Sequence, residues 1–356
     1  LMKSKPVSSC YHIAIQILED AYGGLEHNDG TFIQFGWRRL CEKGGYRKLL
    51  QIIGHEYLHQ WNIRRLRPVE LDKYNYSIPN ITDSLWFAEG ITSYFDIGLP
   101  YKAGLSSRED LLKDFSKDIT KYLNTPGRKI QSIANSSQEA WIKLYKSTAS
   151  SIDSQLSYYI SGTILSLCLD ILLCEKGSSL CILLRNMWTK YGLKAKGYKR
   201  KDIKKELSKL SEEISNDLDK WLDVPDSLPI NKCLQKIGLQ LVQEFNYIES
   251  SSISLEYKNH SVYVTRISSD IISDNFCLVE SDEILFVNNF RVRSVDDFFI
   301  FLNQNEENKI IYSRHGNLGQ TLLINNSMKK CDWNLYEQGD IQSGQRNLQC
   351  QWLEFN

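Results

Sequence analysis

The feature of this sequence that most limits its possible folds is a pair of histidines four residues apart, His55 and His59, with Glu56 between them. They lie in residues 47–61, a segment whose apolar spacing predicts a helix. On a helix, positions i and i+4 differ by only about 40° in azimuth and about 6 Å in rise. Both imidazoles can therefore reach one tetrahedral metal ion from the same face. Glu56, about 100° round, can reach a water on that ion instead.

A metal ion held by two imidazoles needs a third protein ligand and an open position for water. Glu89 is the candidate, because it interrupts residues 84–95, an otherwise apolar helical stretch. An unpaired carboxylate buried there would be costly, and coordination to a cation removes that cost. Two histidines and one glutamate suit Zn²⁺ best, although they also admit cobalt or manganese. The alternatives are two ordinary helical histidines and a glutamate in a surface ion pair.

The composition excludes several classes of protein. The 43 basic residues are balanced by 43 acidic ones, so no surface for nucleic acid is predicted. The longest apolar run, residues 163–174, has 12 residues and contains Asp170, so no membrane span is predicted. Nine cysteines, an odd number without a CxxC pair, favour a reducing, cytoplasmic setting.

The pattern of apolar residues changes along the chain. Residues 108–123, 155–174, 180–191 and 202–222 have the 3.6-residue period of helices, and short alternating strand-like runs follow the proline-rich segment near residue 226. The pattern thus predicts an α+β protein of three parts. They are a mostly helical domain (1–225, with the metal site in 23–97 and the helical part in 105–225), a β-rich domain (226–326) and a weakly structured tail (327–356).

The ordered motifs of the chain resemble those of one known family. They are HEYLHQWN followed by RRLRP, LWFAEGITSYF with Glu89 30 residues after His59, GGLEH at 23–27, PGR at 126–128, AWIKLY at 140–145, SYYISG at 157–162 and SDEILFVNN at 281–289. This set is similar to that of the glycyl aminopeptidase family of gluzincin zinc metallopeptidases, and the resemblance extends over roughly residues 10–325. HExxH alone would indicate only a zincin, whereas the step to the glutamate and the GGLEH motif select this family.

The resemblance implies a thermolysin-like catalytic domain followed by a small PDZ-like domain. It implies one Zn²⁺ per chain, held by His55, His59 and Glu89, with Glu56 as the general base. The implied substrates are peptides with a free N-terminus, from which glycine or alanine is released.

Four further residues take roles from the resemblance. Glu26 of GGLEH would bind the free α-amine of the substrate, which a positioned carboxylate recognises by a charge-assisted hydrogen bond. Gly23 and Gly24 would let the substrate backbone approach closely. Tyr159 matches the tyrosine of a YxKG motif and would stabilise the oxyanion. Ser161 replaces the lysine of that motif, which changes the local electrostatics.

Some alternatives remain open at this stage. The family places a β-rich domain before GGLEH, and the chain begins almost at that motif, so we expect that domain to be absent. Either the sequence is a fragment, or the cleft is open and activity is weak. A weak or inactive scaffold that binds peptides through its PDZ-like domain is the main alternative to an aminopeptidase, and an endopeptidase is a third. The PDZ-like domain either captures a peptide or protein C-terminus or is purely structural. Asp170 is predicted either to support a metal ligand through a hydrogen bond or to be a helix-packing partner.

Overall fold

The computed structural model of the chain describes residues 1–73, 75, 77–247, 253–267, 276–303, 306–324 and 329–356. Its helices are α1 (Trp37–Cys41), α2 (Gly45–Leu58), α3 (Ile91–Lys102), α4 (Arg108–Leu123), α5 (Ile133–Gln138), α6 (Tyr158–Glu175), α7 (Leu180–Lys190), α8 (Arg200–Ser208), α9 (Glu212–Asp223), α10 (Ile230–Lys236), α11 (Val295–Ile300) and α12 (Ser343–Leu353). Its strands are β1 (His12–Leu18), β2 (Tyr22–His27), β3 (Gly30–Gly36), β4 (Leu239–Tyr247), β5 (Ile253–Lys258), β6 (Ser261–Ile267), β7 (Glu283–Val287), β8 (Phe290–Arg291), β9 (Glu307–Arg314), β10 (Asn317–Ile324) and β11 (Lys329–Glu337). A π-helical turn, Trp86–Gly90, leads directly into α3.

The chain contains both helices and sheets, so it is an α+β protein, as predicted. It divides into two compact units: unit 1 comprises residues 1–146, 155–242 and 333–356, and unit 2 comprises residues 147–154 and 243–332. This division differs from the single boundary predicted near residue 226.

The prediction of a weakly structured tail is wrong for residues 329–356, which form β11 and α12. Residues 327 and 328 of the predicted tail lie outside the described residues. The segment is rich in glutamine and asparagine, but it also carries Trp352 and Phe355, which are buried in the core of unit 1. Burial of these two large aromatic side chains holds the end of the chain on that core.

A small three-stranded sheet stands at the start of unit 1. β3 is central, with β1 parallel to it and β2 antiparallel to it. Ile33 and Phe35 of β3 are fully buried and pack on Ile52 of α2. Because side chains alternate along a strand, these two residues fix which face of the sheet lies on α2. The arrangement brings β2, at one edge of this sheet, alongside the helix that carries the histidine pair.

Helix α6 is the centre of the helical part of unit 1. The π-helical turn, α3, α4 and α12 are among the elements that contact it. The stretch Ser150–Glu175 is apolar and long enough to cross a membrane, yet 78% of its most apolar window is buried within the protein. The core of unit 1 thus accounts for its apolar character.

Asp170 of α6 is a helix-packing partner. Its carboxylate accepts hydrogen bonds from Tyr94 Oη at 2.6 Å and from the backbone N–H of Leu180 at 2.7 Å. Tyr94 Oη in turn accepts one from Trp352 Nε1 of α12 at 2.9 Å. Burial raises the pKa of Asp170 to about 6. The carboxylate therefore joins α3, α6, α7 and α12.

Unit 2 is a mainly antiparallel β structure. Its strands have the order β10–β9–β7–β6–β5, with β8 paired to β7. Phe298 of α11 is fully buried in its core with Val262, Ile284 and Ile310. Residues 147–154 belong to this unit, and Asp153 there pairs with Arg266 of β6 at 3.0 Å. Parts of the predicted PDZ-like domain, residues 248–252, 268–275, 304–305 and 325–326, lie outside the described residues.

Candidate metal centre and active site

The two histidines of the HExxH motif lie at the C-terminal end of α2. His55 is in its last turn, and His59 follows Leu58 with right-handed helical backbone angles. Their rings are therefore on one side of the helix axis, with centroids 4.6 Å apart. This agrees with the geometry expected for positions i and i+4.

Glu89 completes a triad with these histidines. It lies in the π-helical turn, and its Oε2 is 3.2 Å from His55 Nε2 and 3.3 Å from His59 Nε2. One ligand atom from each of the three residues falls within 4.8 Å of the others, so the group could hold a metal ion. A π-helical turn interrupts the regular backbone of a helix, and such turns are frequent at functional sites.

The other ring nitrogen of each histidine has its own acceptor. His55 Nδ1 lies 2.9 Å from Asp96 Oδ2, and His59 Nδ1 lies 2.8 Å from the carbonyl oxygen of Asn62. Because both acceptors are oxygens that cannot donate, each Nδ1 carries a proton, and each Nε2 faces Glu89. Metal-binding histidines in proteins are oriented in this way. The residues present therefore fit a metal ion.

Asn62 also holds the backbone that carries Glu89. Its side chain is fully buried, and Nδ2 donates to the carbonyl oxygens of Phe87 and Ala88 at 2.9 and 3.0 Å. Both carbonyls belong to the π-helical turn. Asn62 thus orients His59 through its backbone carbonyl group, and it holds the turn that carries Glu89 through its side-chain amide.

The electrostatics of the triad favour positive charge between its members. Burial opposes protonation of His55, but hydrogen bonds and charge from Asp96 and Glu89 outweigh it and raise the pKa of His55 to about 10. Burial also opposes ionisation of Glu89, yet the charge of His59 and hydrogen bonds to both histidines hold its pKa well below the usual range. Burial raises the pKa of Asp96 to about 6. A site that keeps Glu89 ionised while it is buried is suited to a cation.

Glu56 is buried beside the triad and points toward β2 rather than toward Glu89. Thr31 Oγ1 donates to its Oε2 at 3.5 Å. Burial raises the pKa of Glu56, while the charges of His55 and His59 lower it. Oxygens of Glu56 and Glu26 and a nitrogen of His59 lie within 4.8 Å of one another. The carboxylate is therefore next to the metal centre without being one of the triad.

The GGLEH motif forms β2 and passes directly over Glu56. A Cβ atom at Gly24 would lie 2.2 Å from Glu56 Oε1, whereas one at Gly23 would meet no atom within 4 Å. Gly24 is therefore required by the close approach of the strand to Glu56, and Gly23 faces open space in the cavity. Glu26 lies at the far end of the same strand, 4.0 Å from Arg64 Nη1.

Tyr159 lies at the start of α6 on the other side of the metal centre. Its ring centroid is 6.3 Å from that of His55, and it stacks on Tyr158 at 4.6 Å. Burial and the charge of Glu89 raise its pKa, so the phenol stays protonated at neutral pH. Ser161, which replaces the lysine of the family motif, is buried and donates to the carbonyl oxygen of Ser157 at 2.9 Å.

A contact between two glycines sets the distance between Tyr159 and the triad. A Cβ atom at Gly162 of α6 would lie 2.7 Å from Gly90 Cα and 2.9 Å from the carbonyl oxygen of Trp86. Helix α6 can therefore approach the turn of Glu89 only because neither residue has a side chain.

Replacing Gly162 by alanine is expected to lower the free energy of unfolding by about 1–3 kcal/mol, as overpacking does in close-packed cores. It should also lower kcat, because Tyr159 moves with α6. Urea denaturation and steady-state kinetics would measure both effects. Gly344→Ala is the matched control, since a Cβ atom there meets nothing within 4 Å. Equal stability of the two variants would contradict the packing argument.

Most residues of this site were predicted from the sequence, and two were not. His55, Glu56, His59, Glu89, Glu26, Gly24 and Tyr159 converge here. Asp96 and Asn62 were not predicted. Asp96 follows Glu89 by seven positions, which is close to two helical turns. This spacing indicates that the two side chains lie on the same helical face, and it could have identified Asp96.

A cavity of about 650 Å³ opens beside the metal centre. Gly23, Gly24, Glu56 and Tyr159 are among the residues that line it, and so is His55. The predicted active-site residues therefore face a space of the size that encloses a small ligand.

Comparison with known proteins identifies what this chain resembles. The structure of an aminopeptidase N family protein from Idiomarina loihiensis is similar with a TM-score of 0.84 and 22% sequence identity, over 96% of this chain and 62% of that one. The two chains share a fold, and this chain spans less than two thirds of the length of that protein. Comparison with curated proteins found no significant match. Residues 48–165, which contain the HExxH motif, Glu89 and Tyr159, match the sequence model of the family described as M61 glycyl aminopeptidase. The segment that carries the candidate metal centre thus resembles the M61 glycyl aminopeptidase family, the family whose motifs the sequence suggested.

Proposed function

We propose that this chain is a zinc-dependent aminopeptidase that releases small N-terminal residues, glycine or alanine, from peptides. The observation that carries this proposal is the convergence of His55, His59 and Glu89 with Glu56 at their side and Glu26 within reach. Two histidines and a carboxylate with an open position form the donor set of catalytic zinc sites. The preference for glycine or alanine rests on the family match.

The residues around the metal centre divide the work of peptide hydrolysis among them. When bound, zinc polarises the scissile carbonyl and acidifies the attacking water. Glu56 takes the proton of that water and returns it to the leaving amine, and its raised pKa suits this exchange. Tyr159, protonated at neutral pH, donates a hydrogen bond to the oxyanion. Glu26 binds the α-amine and so fixes which bond is cut.

The proposed binding of the substrate α-amine by Glu26 is the most direct test of this function. We expect peptides with a free N-terminus to be hydrolysed and their N-acetylated forms to be left intact. Glu26→Gln should lower kcat/KM by about 10- to 100-fold, because a hydrogen bond to a charged group contributes about 1.5–3 kcal/mol. Amino-acid release measured by chromatography would give both values.

Glu109→Gln, an exposed position on α4, is the control for the loss of one negative charge. Cleavage of acetylated peptides at the same rate would indicate an endopeptidase instead. Zinc-free protein that still binds peptides would favour the alternative of an inactive scaffold, which has no need of a metal ion.

We further propose a thermolysin-like arrangement for unit 1 and a PDZ-like one for unit 2. In unit 2, β5 is at one edge of the sheet and contacts α11. An edge strand beside a helix is where PDZ domains add a peptide strand. Residues 248–252, directly before β5, lie outside the described residues. Calorimetric titration with C-terminal peptides would test whether unit 2 binds a peptide C-terminus. Titrations without measurable heat of binding would indicate that unit 2 is purely structural.

We also propose that the chain acts in the cytoplasm. Its buried cysteines, Cys168, Cys174, Cys181 and Cys233, are thiols, which supports a reducing environment. Imaging of a fluorescent fusion would test the location, and secretion of the fusion would contradict it.

A further inference from the structure

The cavity beside the metal centre continues along α2 to a group of cationic side chains. Arg39, Lys48, Lys117 and Lys121 line it together, and we call these four residues the basic cluster. Lys48 precedes His55 on α2 by seven residues, which places it about 10 Å away along the helix axis and on nearly the same face. One cavity thus connects the metal centre to four positive charges.

The charges of the basic cluster converge on Lys48. Burial lowers the pKa of its ammonium group, and repulsion from Lys117, Arg39 and Lys121 lowers it further. Glu42 opposes this shift only weakly, as the smallest of the contributions. Four carboxylates, those of Glu56, Asp96, Asp114 and Asp118, line the same cavity.

The acids near the basic cluster are already engaged. Asp114 accepts hydrogen bonds from Arg47 Nε at 2.7 Å and Gln51 Nε2 at 2.8 Å, and Lys117 lies 3.5 Å from it. Asp118 lies 3.8 Å from Lys121 Nζ.

The other two acids have partners as well. Asp20 lies 3.4 Å from Arg39 Nη2, and Asp96 is held by His55. The ammonium group of Lys48, by contrast, has no hydrogen-bond or ion-pair partner among the residues that the structure describes. A partly buried ammonium group without a carboxylate partner is available for an anionic ligand.

The order of groups along the cavity matches the direction of a peptide. Glu26 lies near His59, at the C-terminal end of α2, and Lys48 lies toward the N-terminal end. The metal centre is between them. Strand β2 spans the same interval, with Tyr22 next to Arg39, whose guanidinium lies 5.3 Å from the ring centroid, and Glu26 at the other end. The four residue steps from Tyr22 to Glu26 cover about 13 Å.

We propose that the basic cluster binds the C-terminal carboxylate of a short peptide whose N-terminal bond is held at the metal centre. The inference rests on the proposed aminopeptidase function and names its substrate class: tripeptides and tetrapeptides with free ends. An extended peptide advances about 3.3–3.6 Å per residue, so three or four residues span the interval from Glu26 to Lys48. A carboxylate on a side chain offers the same chemistry, and the test separates the two sources.

The experiment compares Gly-Ala-Ala, its C-terminal amide and Gly-Ala-Glu amide as substrates. We expect the wild-type protein to hydrolyse the free acid about 10- to 100-fold more efficiently than the amide, in line with a charged hydrogen bond. Lys48→Gln should remove this ratio, because hydrolysis of the free acid should fall to about the rate of the amide measured with the same variant. Lys121→Gln, an exposed side chain of the same cluster, should reduce it in part. Lys43→Gln, exposed outside the cavity, should leave it intact.

Three outcomes would overturn the proposal. The first is that the wild-type protein hydrolyses the free acid and its amide at equal rates. The second is that the ratio of free-acid to amide hydrolysis is unchanged in Lys48→Gln. The third is that only the glutamate side chain of Gly-Ala-Glu amide accelerates hydrolysis.

A binding measurement separates this inference from the proposed function. Gly-Ala-Ala and its amide are titrated calorimetrically into the Glu56→Gln protein, with and without Lys48→Gln. If no peptide is hydrolysed by the wild type, the proposed function fails. Tighter binding of the free acid that depends on Lys48 would still support the carboxylate site, and equal binding of acid and amide would overturn it.

Discussion

Glu56→Gln is expected to lower kcat for peptide hydrolysis by about 10²- to 10⁴-fold, the contribution typical of a positioned general base. The amide is close in size to the carboxylate, so the packing against Gly24 is kept, but it cannot accept the proton of the attacking water. Because a base acts only when ionised, the wild-type rate should rise as the pH increases through the raised pKa of Glu56. Steady-state kinetics of tripeptide hydrolysis over a range of pH would measure both.

Two controls make this expectation specific. The metal content of the Glu56→Gln protein should equal that of the wild type, since Glu56 is not one of the three ligands. Glu109→Gln should retain full activity. A variant that loses its metal ion together with its activity would show that Glu56 holds the site together rather than moving a proton.

Glu89→Gln is expected to weaken metal binding by more than about 100-fold, since even residues that only support metal ligands contribute 10- to 100-fold. A neutral amide oxygen is a poorer ligand, and the positive charge stabilised between His55 and His59 would lose its carboxylate. Metal content after dialysis and competition with a chelator would measure the loss.

The metal-free Glu89→Gln protein should remain folded, which circular dichroism would show. In this variant the pKa of His55 should also fall, because Glu89 contributes to raising it in the wild type. Titration of the histidine followed by nuclear magnetic resonance would detect this. Unchanged metal content in the variant would contradict the assignment of Glu89.

Local sequence signals were sufficient where one physical effect dominates. Helix α4 begins and ends where its 3.6-residue pattern predicted, at Arg108–Leu123, because Ser107 and Asp110 form a capping box at its start. The histidine pair was predictable for the same reason: helical spacing alone brings His55 and His59 to one side of α2, whereas Glu89 reaches them from a separate turn.

The remaining features depend on tertiary structure. Residues 202–222 were predicted as one helix but form α8 and α9, because Ser211 caps a new helix by accepting a hydrogen bond from Ile214. The tail was predicted from its polar composition, whereas two buried aromatic residues decide its structure. Asn62 could not be identified, since its function depends on three carbonyl and hydroxyl oxygens that meet only in the folded chain.

The path of the chain through the two units has a genetic consequence. Unit 1 is encoded by three separate stretches, and the last of them, residues 333–356, supplies Trp352 to the hydrogen-bond chain through Tyr94 and Asp170. A nonsense mutation anywhere upstream of residue 352 would delete that tryptophan as well as whatever it removes of unit 2. Loss of residues 243–332 without loss of Trp352 therefore requires an in-frame internal deletion, and premature termination should be selected against as a folding defect.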